Sequence, residues 1–186
     1  AEIARYMAEE FDLPNFRPAA INYTADLTAY DYYMQGLEQL RKNGTAEDYD
    51  EAIRFMSSAL VHDASFADAE AGICQAYLGK YDISRNIQLL NQAKEYCERA
   101  WQENERNAAA LDALLSVNIQ MGQYDEALAI FKLAEQYSVS SVEVTLTKAK
   151  LFKKMGKFER AAEVFESAIA NYSDYWKVYG DYAIFY

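Results

Sequence analysis

A tetrapeptide occurs twice in this chain. Tyr49-Asp50-Glu51-Ala52 returns as Tyr124-Asp125-Glu126-Ala127, and a looser copy follows as Phe158-Glu159-Arg160-Ala161. Ala127 to Ala161 is a step of 34 residues, and the same step links Met121 to Met155, Gly122 to Gly156, Phe131 to Phe165 and Ala134 to Ala168. A fixed period of that size marks an array of stacked supersecondary units, each burying its apolar face against a neighbour. Such a chain works through its surface, and catalysis is not expected.

Composition supports helices. Two prolines and seven glycines in 186 residues leave long stretches without a helix breaker, and 52% hydrophobic residues suffice for a continuous core. The net charge of −11 repels phosphates, so nucleic acid is not the expected partner. No apolar run reaches the ~18–20 residues that span a bilayer, so no direct membrane contact is expected in this segment. The chain opens at Ala1 without Met, which reads as an excised piece. A cytoplasmic location fits it, and a periplasmic one stays open if an upstream transmembrane segment has been removed.

The repeats can be placed along the chain. The 34-residue step resembles that of the tetratricopeptide repeat, and the resemblance implies small residues at repeat positions 8, 20 and 27, where two helices A and B approach closely, and larger apolar residues at 4, 7, 11, 17 and 24. The copy from Ala108 to Ser141 supplies Leu111, Leu114, Tyr124, Ala127, Phe131 and Ala134 at these places. Gln120-Met121-Gly122-Gln123 is its A-to-B turn. The next copy supplies Ala149, Phe152, Phe158, Ala161, Phe165 and Ala168. Two earlier copies are longer. Ala59 to Ala100 is 41 residues, seven more than the period. The extra residues fall between Tyr77 and Ala93, where Ile83, Ile87 and Leu90 have helical spacing. Helix B of that repeat is therefore expected to grow by about two turns, with these three on its buried face. The first repeat carries a loop around Lys42-Asn43-Gly44-Thr45. The expected organisation is residues 1–24 as a short helix and linker, four repeats at about 25–66, 67–107, 108–141 and 142–175, and a terminal helix A over 176–186.

From Tyr49 onward, the chain resembles the tetratricopeptide repeat family. The resemblance implies an all-α, right-handed solenoid and a protein-interaction role. A narrower likeness lies in Ala1-Glu2-Ile3-Ala4-Arg5, Thr28 to Gly36, and Ala59-Leu60-Val61-His62-Asp63. These resemble the junction at which a TolB-like domain passes into a tetratricopeptide tail in bacterial cyclases, kinases and transcription regulators. That likeness implies a bacterial signalling protein with an upstream domain.

The concave groove of the fold is lined by helix A positions 2, 5, 9, 12 and 13. On that register the groove carries Asp31 and Gln35, then Gln75, then Asp112 and Ser116, then Lys150, Lys153 and Lys154, with Lys177 beyond. Ala71, Gly79 and Leu146 fall on the same positions. The groove thus runs from acidic to basic. The lysines are either a solubilising face or an anchor for an acidic peptide or carboxylate. The expected function is a scaffold or regulatory module holding a peptide or protein partner in this groove; the alternative is a small-molecule-sensing domain of a larger bacterial signalling protein. The family's lysine-and-asparagine carboxylate clamp begins in the first repeat, where Asp31 and Gln35 stand here, so that activity is not carried over.

Other chemistry finds little support. His62 is the single histidine, with no partner for a metal or a nucleophile system, so no metal and no cofactor are expected. Cys74 and Cys97 both face the A–B interface and read as two small buried hydrophobes, the nearness of their positions leaving a disulfide open. Lys148 at position 7, normally apolar, should lay its stem along the core. The last segment carries Trp176, Tyr179, Tyr182, Phe185 and Tyr186, the pattern of an A helix without its B helix. An exposed edge of this kind marks an interface: either the natural protein continues beyond Tyr186, or this end packs against a second copy as a homodimer.

Overall fold

The computed structural model describes residues 24–136, 139 and 141–185. The N-terminal segment expected over 1–24, and Tyr186, lie essentially outside them. Among the described residues nine helices follow one another, with no strand. They are α1 (Leu27–Leu40), α2 (Ala46–His62), α3 (Ala67–Ser84), α4 (Ile87–Glu103), α5 (Ala108–Gln120), α6 (Tyr124–Gln136), α7 (Val142–Lys154), α8 (Phe158–Asn171) and α9 (Trp176–Phe185). Odd-numbered helices take the A role and even-numbered ones the B role, and each packs on its neighbours in sequence and on the next A helix.

Local chemistry sets the helix ends. Asp26, Thr45, Asn86, Asn107 and Ser141 each accept a backbone N–H at the start of a helix, and Thr45 closes a reciprocal capping box with Asp48. Gly122 and Gly156 end helices α5 and α7 at φ 74° and 72°, a left-handed conformation that costs a side chain. The B helices then present Ala52, Ala93, Ala127 and Ala161, all fully buried, at their close crossings. The alternation of small and large apolar residues thereby gives a series of core clusters along the helix array.

Met56 on α2 shows how tight the first junction is. A Cβ on Gly36 of α1 would lie 2.6 Å from its Cγ, and one on Gly72 of α3 would overlap its Sδ. Gly36 thus faces Met56 as Cys74 faces Cys97, the counterpart of Met56, in the next repeat. Gly36 therefore fills the small-residue place of the first repeat, two residues beyond the place that the groove register above implies. This two-residue shift corrects the register expected there. Asp31 and Gln35 stay exposed on α1, while Tyr33 and Leu37 pack on the core of the first repeat.

The lengthened second repeat also departs from expectation. Helix α3 runs ten residues past Cys74, against five for α5 past the equivalent Leu115. Helix α4 starts six residues before Ala93, against three for α6 before Ala127. The insertion is thus shared by both helices and interrupted at Arg85, which takes the left-handed conformation at φ 55°. Leu90 is buried as expected, but Ile83 and Ile87 are 54% and 56% exposed, because the break carries them to the projecting tip.

The cysteine reading is corrected. Cys74 and Cys97 are joined by a disulfide, with Cα atoms 5.4 Å apart, a separation a bridge spans without moving the backbone. Lys148 behaves as expected: its Nζ passes 5.8 Å above the buried Phe131 ring and pairs with the exposed Glu135 Oε1 of α6 at 2.8 Å, so the stem follows the core while the charge reaches the surface.

Candidate partner-binding groove

Polar contacts join neighbouring A helices and the turns that precede them. Asn107, which caps α5 with its Oδ1, donates through Nδ2 to Asp68 of α3. The Thr147 hydroxyl of α7 donates to Asp112 Oδ1 of α5 at 2.6 Å. The Tyr175 hydroxyl donates to Glu143 of α7 at 3.1 Å. Each link satisfies a polar group that stacking would otherwise strand. Burial pushes the Asp112 carboxyl above the usual range, while the Thr147 hydrogen bond and the Lys150 charge pull it back.

Asp112 itself is half-buried on α5 beneath its Thr147 partner. Above it opens a pocket of about 610 Å³ between α5, α7 and the start of α8. Ser116, Ile119 and Gln120 line one wall; Thr147, Lys150, Lys153 and Lys154 line the other; Phe158 closes the end. The four-residue and three-residue spacings of Lys150, Lys153 and Lys154 keep them on adjoining faces of α7. Lys153 and Lys154 also occupy its last turn, where the helix dipole favours cations.

The lysines differ in their engagement. Lys150 Nζ lies 3.0 Å from Asp181 Oδ2 of α9, with side chains 49% and 18% exposed. That ion pair is close but poorly aligned, since Asp181 Oδ2 has no hydrogen-bond partner among the described residues. Lys153 Nζ stands 5.5 Å from the centre of the Phe185 ring. Lys154, exposed at the rim, has no ion-pair partner among the described residues. Lys177 is half-buried, close enough for its charge to act on Asp112.

Other expected site residues sit apart from this pocket. Gln75 is exposed on α3, and Asp31 and Gln35 are exposed on α1, with Gln35 Nε2 donating to the Asp31 carbonyl at 3.4 Å. Ala71 is buried against Ala100 and Ala110, Leu146 is buried in the cluster of Phe165, Ala168 and Val178, and Gly79 lies under the Tyr49 ring, so none of the three is open to a partner. Phe158, expected to fill the core, is instead 55% exposed at the pocket mouth. Its position gave no warning, because Tyr124 at the same repeat position is half-buried.

The terminal aromatics divide into two groups. Tyr182 and Phe185 turn inward onto Phe165, at 5.7 and 5.3 Å between ring centres, and Val178 is fully buried beside them. This corrects their assignment to an open edge. Trp176 and Tyr179 remain 78% and 46% exposed.

This architecture is the tetratricopeptide fold, an all-α solenoid of helix-turn-helix repeats. It is similar to a thermophilic tetratricopeptide protein of Thermus thermophilus, TTC0263, at a TM-score of 0.73 and 19% identity over 84% of this chain and 80% of that one. It is also similar to PilF of Pseudomonas aeruginosa, at 0.68 and 22% identity over 86% of this chain and 68% of that one. A tetratricopeptide protein of Parabacteroides merdae matches at 0.65 and 18% identity over 100% of this chain and 64% of that one. In sequence, no family model and no curated protein matches the chain.

Proposed function

We propose that this chain is a non-enzymatic protein-interaction module that binds an acidic segment of a partner in the pocket between α5, α7 and α8. Solenoids of this fold offer extended concave surfaces for recognition. The observation that carries the reading is the gathering of Lys150, Lys153 and Lys154 around an apolar end formed by Ile119 and Phe158, in a chain of net charge −11. Lysines spent only on solubility would not converge on an exposed aromatic ring. A carboxylate near Lys154 gains a charge partner, and an apolar side chain beside it gains the Phe158 face.

Selection from a displayed peptide library tests this. Enriched sequences should carry Asp or Glu beside an apolar residue, and binding should weaken as salt rises, with exposed charges screened beyond ~10 Å at 0.1 M. The triple variant K150E/K153E/K154E should lose that binding and keep its helical circular dichroism. Unaltered affinity in the triple variant returns the lysines to solubility. Equal binding of free small dicarboxylates favours the small-molecule-sensing alternative.

The exposed Trp176 and Tyr179 support a second surface, through which two copies of the chain associate. Aromatic residues exposed together are costly in water and are enriched at interfaces.

A further inference from the structure

Two of the three groove lysines are already met from within the chain. Asp181 lies against Lys150 and the Phe185 ring against Lys153, and both come from α9. They are four residues apart, so they leave one face of that helix, one turn from each other. Helix α9 thus offers the groove an acid and an aromatic ring in fixed order. That is the chemistry proposed for the partner.

The contact is one a ligand can displace. Asp181 Oδ2 is shielded from solvent yet accepts no hydrogen bond among the described residues, so its pairing with Lys150 is incomplete. Lys150 is half-exposed and reachable from solvent. Helix α9 has ten residues and holds to the body through Val178, Tyr182 and Phe185. Lys154 and Phe158 stand beside these contacts as an entry point from which an incoming segment can advance.

We propose that α9 is an internal pseudo-ligand, and that the partner is a segment carrying a carboxylate and an aromatic side chain one helical turn apart. The inference rests on the groove reading above. The partner's carboxylate first meets Lys154, then replaces Asp181 at Lys150, while its ring replaces Phe185 at Lys153. In the free protein, α9 lowers the apparent affinity and rejects segments that bring only one of the two groups.

The probe is a fluorescein-labelled helical peptide with one Asp and one Phe four residues apart, measured by anisotropy against the whole chain. Asp181→Asn keeps the shape of α9 and removes its charge. It should bind the probe about five-fold more tightly than wild type, the scale of a partly exposed ion pair. Lys154→Glu should weaken binding in both backgrounds. In wild type, probe binding should speed amide hydrogen exchange across α9, a readout that does not depend on the variant folding. Unchanged or weaker binding by Asp181→Asn, with the triple lysine variant still inactive, overturns the pseudo-ligand and leaves the groove reading standing. Slower exchange in α9 on binding overturns it as well. Binding by neither wild type nor Asp181→Asn overturns both readings.

Discussion

Removing the Cys74–Cys97 bridge should lower stability by an amount the sequence separation sets. The two cysteines are 23 residues apart and close a loop through the α3–α4 hairpin. Loop-closure entropy for a ring of that length is about 3 kcal/mol, slightly above the value for 15 residues. Both residues are fully buried, so a double change to Ala also vacates the space of two sulfurs within the cluster of Ala93, Leu114 and Val117. That adds roughly 1 kcal/mol. A loss of about 3–4 kcal/mol in a chain of this size corresponds to a melting temperature lower by about 6–16 °C. Because the bridge sits in the second repeat and each repeat contacts only its neighbours, the early loss should be local. Hydrogen exchange should therefore rise first in α3 and α4, before α8. The assay is thermal and urea unfolding of oxidised wild type, of wild type refolded with a reductant, and of C74A/C97A. Iodoacetamide alkylation of the denatured, unreduced protein should add no mass. Alkylation at both cysteines in that sample, or a melting temperature unchanged by reduction, would refute the reasoning.

Three further outcomes follow from contacts described above. Gly79→Ala drives a Cβ into the Tyr49 ring, a rigid neighbour, and should cost ~1–3 kcal/mol in urea unfolding, whereas Gly122→Ala meets no atom and should suffer only from its left-handed backbone. Asp112 has a folded-state pKa raised by burial, so the folded protein holds its proton more tightly than the unfolded chain, and stability falls as pH rises through the window between the two values. Asp112→Asn should remove that decline, and a stability difference between variant and wild type that does not grow from pH 4 to pH 7 would count against it. Trp176→Ser should shift sedimentation toward monomer with helical content unchanged, and a wild type that sediments as a monomer at all concentrations rules out the association surface.

The sequence made the B helices and the late repeats legible because their code is local. A small residue at a close crossing has few substitutes, and glycine at a left-handed helix end has almost none, so Ala127, Ala161, Gly122 and Gly156 announced themselves. The first repeat was harder, since the loop around Lys42 to Thr45 erases the fixed spacing, and only the space around Met56 decides that Gly36 is the small residue. The tip of the second hairpin hid for a different reason. Ile83, Ile87 and Leu90 have helical spacing, but Arg85 takes a conformation usually left to glycine, and nothing in the residue type announces the break. In the groove, the lysine cluster was readable from position alone. Their partners Asp181 and Phe185 were not, because a contact between α7 and α9 depends on how one repeat is rotated against the next.

Met56 has a consequence for how this chain can diverge. Its side chain fills the space that Cβ atoms on Gly36 and Gly72 would need, and those glycines belong to helices on either side of it. The three positions therefore share one volume across two repeats. Ancestors or descendants with alanine at either glycine are expected to carry a smaller residue at position 56, and a lineage that shortens Met56 alone leaves a void until one of the glycines gains a methyl group. Duplication or exchange of a single repeat at this junction gives Met56 a new neighbour, and is expected to need a matching change in the size of residue 56.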